Sequence, residues 1–242
     1  MSSNPLVEVV FEVRFTPKGN FATELLIAIN QVFKDHLSII HTEGLQIPAE
    51  VKLQQHDFYY VPSYKINYPT FSLLVSDGSL VLLKNALDDQ YEGWNEFRNI
   101  PVQILDILNT KNQLNNIHRY SLKYTNLIRD NLSIDDLNFS LKIGDNLLQK
   151  DAKLAFKTEV KEDNFIIMTD IASHVDLQNT SDVNGEVRRL SGTLFIIDVI
   201  NNTGIQHLER AKEEFIEVLE VIHSKVDQIY RTIYKNTGDL HE

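Results

Sequence analysis

Cysteine is absent from all 242 residues. That excludes disulfides, thiolate metal sites, iron–sulfur clusters and cysteine nucleophiles. It agrees with a reducing compartment. Bases are scarce as well, 23 against 34 acids, for a net charge of −11, and no basic run is longer than Arg188–Arg189. Nucleic-acid binding draws on clustered Lys and Arg through counterion release, so it is disfavoured as the main activity. Only a basic patch assembled in three dimensions would reopen it. Long apolar runs are also missing. No window approaches the roughly 20 residues of a membrane span, and TLFIIDVI, among the longest, has strand length. The start, MSSNPLVEVV, has neither the basic nor the apolar region of a signal peptide. The expectation is a cytoplasmic protein without membrane contact.

What is present is core material. Hydrophobic residues make up 43% of the chain, and a chain this long buries roughly 70% of the surface its unfolded form exposes. Residues 6–15 alternate. Val7, Val9, Phe11, Val13 and Phe15 share one side, and Glu8, Glu12 and Arg14 the other, with Leu6 and Val10 between them. That period predicts a strand. Phe21, Leu25, Ile29, Val32 and His36 recur at helical spacing and predict a helix over 21–36. Residues 41–70 hold three prolines and the aromatics Phe58, Tyr59, Tyr60, Tyr64 and Tyr68. They predict irregular structure with one or two short edge strands. Residues 70–87 predict a hairpin turning at Asp77–Gly78, a dipeptide suited to a type I′ turn.

A second helix is predicted over 93–111, with Pro101 kinking it or splitting it in two. Residues 117–129 alternate again: Tyr120, Leu122, Tyr124 and Ile128 on one side, Arg119, Ser121, Lys123 and Thr125 on the other. A second hairpin turns around 161–163, residues 176–189 predict a polar loop, and 190–200 the last strand. Thr203 is placed to cap a final helix running to about residue 235. Its stripe is Phe215, Leu219, Ile222, Val226, Ile229 and Ile233, long enough to protrude or to meet another subunit. Strand runs joined by hairpins imply an α+β fold with largely antiparallel sheet and three main helices. A single domain over 1–242 is expected, with two sub-lobes meeting near 131–150 as the other division. The order of elements hints at a weak internal duplication.

With the elements placed, several stretches resemble a sporadically distributed family of prokaryotic proteins of about this length. They are NPLVEVVFEVRF, YEGWNEF, IHRYSLKYTNLI, FIIDV and GIQHLERAKEEF. The match spans nearly the whole chain, and the order and spacing of the motifs carry it. Lys123 stands where that family often has Arg, which weakens bidentate anion binding there, and Pro101 interrupts the middle helix. The resemblance implies no activity. Its patchy distribution implies an accessory protein of a mobile or defence-type operon.

The candidate surface is Glu8, Glu12, Arg14, Arg119, Lys123, Asn126, Asp198 and His207. If the first strand pairs with 117–129, Glu8 and Glu12 face Arg119 and Lys123, each pair contributing roughly 0.2–1 kcal/mol. The plain reading is a wetted sheet face; a ligand or partner surface is the alternative. Asp198 needs a partner if buried in FIIDVI, and Arg119 or Arg129 is placed to supply it. His207 has no second His at i+4, so the zinc-helix pattern is missing. Phosphate-loop, dinucleotide and nucleophile-elbow motifs are missing too. No catalytic set, metal or cofactor is assigned. The leading expectation is a non-enzymatic binding or assembly protein acting through its sheet face or last helix. A ligand-binding or hydrolytic domain with a pocket beside the 58–68 aromatics is the alternative. A nucleic-acid accessory protein is the third reading.

Overall fold

The opening alternation becomes the middle of a sheet. The structure is a computed structural model that describes residues 5–16, 21–87, 91–110, 116–128, 137–138, 142–144, 146–147, 153–180, 187–202 and 211–233. β1 (Leu6–Phe15) buries Val9, Phe11, Val13 and Phe15. A register shift between Leu6 and Glu8 takes Val7 out of that row, and Leu6 is buried in its place. β1 pairs with β5 (Ser79–Asn85) on one side and β6 (Ile117–Ile128) on the other. Beyond β5 lie β4 (Ser72–Val75), β3 (Tyr64–Asn67) and β2 (Ser38–His41). Beyond β6 lie β11 (Val187–Asn201), β10 (Phe165–Thr180) and β9 (Ala155–Glu162). All pairings in this nine-stranded sheet are antiparallel. β7 (Lys142–Ile143) and β8 (Asn146–Leu147) form a small separate hairpin.

The strand order has a partial likeness on either side of the β1–β6 pair: β3-β4-β5 returns to pair with β1 and β9-β10-β11 with β6, each followed by helix, while β2 adds a fourth strand on the β1 side only. Phe11 faces Leu122 at the middle of the pairing. The burial pattern of β1 repeats over the first ten residues of β6. The burial pattern and the return of a meander to a central strand recur, but strand number and helix number do not.

Helices α1 (Ala22–Val32), α3 (Trp94–Phe97), α4 (Asn99–Thr110) and α5 (Ala211–Ile233) share one core with the buried sheet face. The break falls at Arg98, so the second predicted helix is two. Pro101 sits in the first turn of α4, where its missing N–H is not needed. α2 (Ala49–Gln54) lies between β2 and β3, flanked by 3-10 turns at 43–46 and 56–60. The β4–β5 turn is not type I′: neither Asp77 nor Gly78 has a positive φ. Ser76 closes it instead, its Oγ accepting from Ser79 N–H at 2.7 Å. The predicted polar loop is shorter than read, since β10 runs to Thr180 and β11 starts at Val187. A bulge between Ala172 and Val175, with His174 at φ 56°, absorbs the register shift.

α5 is described over 23 residues, about 35 Å of helix. Thr203 lies outside the described residues. The apolar stripe is spent inside the chain. Phe215, Leu219, Ile222 and Val226 are buried in the main core, and Ile229 and Ile233 pack against it and a satellite cluster. That corrects the reading of this stripe as a free partner surface. Burying it is worth more to the sheet than leaving it in water, at roughly 1.5–3 kcal/mol per large side chain.

Candidate functional site

Register decides which candidates meet. Glu8, Glu12 and Arg14 of β1, Arg119 and Lys123 of β6, and Asp198 of β11 alternate with buried residues and share the sheet face opposite the helix-covered core. Arg14 is directly opposite Arg119, Glu12 opposite Ser121, and Lys123 opposite Asp198. The acids of β1 are thus diagonal to the bases of β6, while Lys123 and Asp198 form a facing pair. Lys123 Nζ is 4.0 Å from Glu8 Oε2, and Arg119 Nη2 is 3.8 Å from Glu12 Oε2. The short contact is within β1, Arg14 Nε donating to Glu12 Oε1 at 2.9 Å.

Two polar atoms in this cluster are buried without a hydrogen-bond partner: Arg119 Nε and Asp198 Oδ1. Burial raises the Asp198 carboxyl to about 6, against smaller opposing effects of Arg119, Lys123 and a hydrogen bond with Ser121; Glu12 adds to the rise. Like charges directly opposite on neighbouring strands are unfavourable. Two guanidiniums are nonetheless set opposite each other here, with one carboxylate between them. Their side chains are 28% and 26% exposed, so an incoming group can reach them.

Two expected members do not join. Asn126 has the parity of Tyr124 and faces the helices. It is buried next to Leu6 and Phe195, with neither amide atom bonded. This corrects its place on the charged face. His207 and Arg129 lie outside the described residues.

Two residues were missed. Tyr60, from the 3-10 turn at 56–60, lies against the Arg14 guanidinium, 4.6 Å from ring centroid to Cζ. Its hydroxyl is 3.1 Å from His118 Nε2. Burial lowers the His118 pKa, and Arg14 and Arg119 lower it further, which favours neutral imidazole. Alternation gives His118 the parity of Tyr120, and the register shift that falls beside it, between Arg14 and Phe15, leaves no mark in the local sequence. The 58–68 aromatics thus reach the charged cluster through Tyr60.

A second polar network lies on the helix side. Trp94 stacks on His223 with centroids 4.0 Å apart, and His223 Nδ1 is 3.2 Å from the Tyr124 hydroxyl. Trp94 Nε1 and Arg98 Nη1 both donate to Glu220. Burial lowers the His223 pKa and raises that of Tyr124 well above its ordinary value. These contacts tie α5 to α3 and β6. Trp94 is core, and His223 is a half-buried boundary residue beside the stripe. Among the described residues no three metal-ligating side chains gather, and no helix is long and apolar enough to cross a membrane.

Fold and cluster together define an α+β sheet protein with helices on one face and a charged, partly buried cluster on the other. No family model matches the chain, and no curated protein is similar to it. The family resemblance therefore rests on the motifs alone.

Proposed function

We propose that this chain is a non-enzymatic binding or assembly protein that receives an acidic group of a protein partner on its charged sheet face. One observation carries the reading. Arg14 and Arg119 oppose each other across β1–β6, share the single Glu12 carboxylate, and leave Arg119 Nε buried and unbonded. A carboxylate or phosphate arriving there takes up the spare donors through charge-assisted hydrogen bonds. The resemblance adds a setting, a prokaryotic accessory protein whose partner is encoded nearby in a mobile or defence-type operon.

The test is capture from the native host with tagged wild type and with the Arg14→Gln/Arg119→Gln variant. A stoichiometric protein retained by wild type and reduced at least tenfold by the variant is expected, since losing a buried charged contact costs about 2–5 kcal/mol. Equal recovery by both, or nothing bound to wild type, rejects the reading. A second reading is favoured by Tyr60, which brings the aromatic segment to the same arginines. There the acidic group belongs to a small ligand. Saturable binding of such ligands by wild type, with no protein captured, selects it.

A further inference from the structure

Exposed apolar side chains are not spread evenly. Of eleven large ones exposed among the described residues, six lie between Leu37 and Leu53. Leu37 is 54% exposed, Ile39 36% and Ile40 47%. Scattered exposed leucines need no explanation, but a contiguous patch does. Three of the six, Leu37, Ile39 and Ile40, lie in or beside β2, on both its faces, and among the described residues β2 is a terminal strand that pairs only with β3.

A terminal strand offers a row of unpaired backbone donors and acceptors, and proteins guard such edges with charge, proline or a bulge. The other terminal strand, β9, follows that rule with Lys157, Glu159, Lys161 and Glu162 in eight residues. β2 reads Ser-Ile-Ile-His and has no such guard. Its pairing with β3 is regular, without a bulge. The segment after it is fixed to the sheet: Thr42 N–H donates to Ser63 O at 3.0 Å and Gly44 N–H to Pro62 O at 3.0 Å. A side chain at Gly44 would collide with the Pro62 carbonyl, so glycine is what permits this approach. The edge is therefore held in place, and no strand among the described residues covers it.

We propose that β2 is a self-association edge, pairing antiparallel with β2 of a second copy across a two-fold axis. Charge selects that occupant. Two copies of a chain with net charge −11 repel wherever acids meet, and residues 36–42, His-Leu-Ser-Ile-Ile-His-Thr, contain none. Symmetry then fixes the register. A two-fold perpendicular to the sheet keeps each side chain on its own face, so a residue must lie opposite its own equivalent. Centring on Ile39 sets Asp35 opposite Glu43 of the other copy, two acids. Centring on Ile40 avoids this, setting Ile40 against Ile40, Ile39 against His41 and Ser38 against Thr42. The second register is assigned. It joins the two nine-stranded sheets into one and covers the exposed isoleucines. Five paired residues per strand make a small interface, so the dimer is weak and reversible. The charged face plays no part in it.

The lack of cysteine gives a clean test. Ile40→Cys places single thiols opposite each other on the axis, within disulfide reach. Mild oxidation of the full chain is expected to yield a covalent dimer. Val221→Cys, equally exposed on α5, is expected to stay monomeric under the same conditions. Sedimentation of wild type should show a reversible dimer, and Ile39→Lys/Ile40→Lys should weaken it at least tenfold with circular dichroism unchanged. If that double variant unfolds, Leu37→Glu repeats the test at a more exposed position. The proposal is overturned by monomeric wild type at high concentration, by equal cross-linking at 40 and 221, or by a dimer that survives the edge variants. A dimer lost instead in Arg14→Gln/Arg119→Gln also overturns it, whereas failure of partner capture leaves it standing.

Discussion

Asp77→Ala is expected to destabilise the protein by about 3–5 kcal/mol, the cost of stranding one member of a buried ion pair. Asp77 and Lys52 are both buried, with Lys52 Nζ donating to Asp77 Oδ2 at 2.7 Å. The other carboxylate oxygen accepts from the N–H groups of Phe21 and Ala22, at 2.8 and 2.7 Å. The N-cap residue of α1, Phe21, has no side chain able to cap it, and the carboxylate of a distant turn does so instead. Alanine removes the cap and leaves an ammonium buried alone. Lys52→Met is expected to cost less, because Asp77 keeps its two backbone donors. Gly78 N–H also donates to Tyr59 O at 2.8 Å, so the same turn holds the segment bearing Tyr60. Urea unfolding of the variants measures this, and a cost below about 1 kcal/mol for Asp77→Ala would show that water already satisfies the pair.

Asp77 also shows where sequence reading stops. Read locally, Asp77–Gly78 is a turn, and a turn is what forms. The partners that give the carboxylate its role are 25, 55 and 56 residues away, and no local pattern points to them. Strand alternation was far more legible. It predicted β1 and β6 and the face shared by Glu8, Glu12, Arg14, Arg119 and Lys123, because period two fixes which face a residue takes once one face is buried. The same logic placed Asn126 with Tyr124 in the core. Naming it to the charged face broke the parity rule. Val7 failed for another reason, since the shift beside it comes from pairing with β6 and leaves no mark within β1.

The stripe of α5 was legible as a stripe but not as an interior one. Apolar periodicity says that a helix face is buried, not which surface buries it. The β2 edge is the opposite case. No strand is predicted from the sequence over Leu37, Ile39 and Ile40, and only their position at the end of the sheet order makes their exposure an edge feature. In both cases the missing information is topological.

Asp198→Asn is expected to stabilise the protein at alkaline pH. Burial holds the folded carboxyl at about 6, against 3.8 ordinarily. Between those values the folded chain keeps a proton that the unfolded chain has lost. Stability from this group is therefore full below pH 4, falls as pH rises through 6, and stays lost above it. The ionised carboxylate costs up to about 3 kcal/mol, and solvent screening of this partly exposed residue sets the expected gain of the asparagine variant at about 1–3 kcal/mol. Urea midpoints of wild type and variant should differ at pH 8 and converge at pH 4. The opposite sign, a variant weaker at pH 8, would mean that the carboxylate is a working partner of Lys123 and Arg119. That outcome would also bear on the proposed function. It would leave less spare positive charge for an incoming acid, whereas a stabilised variant keeps the partly exposed Arg119 guanidinium available to one.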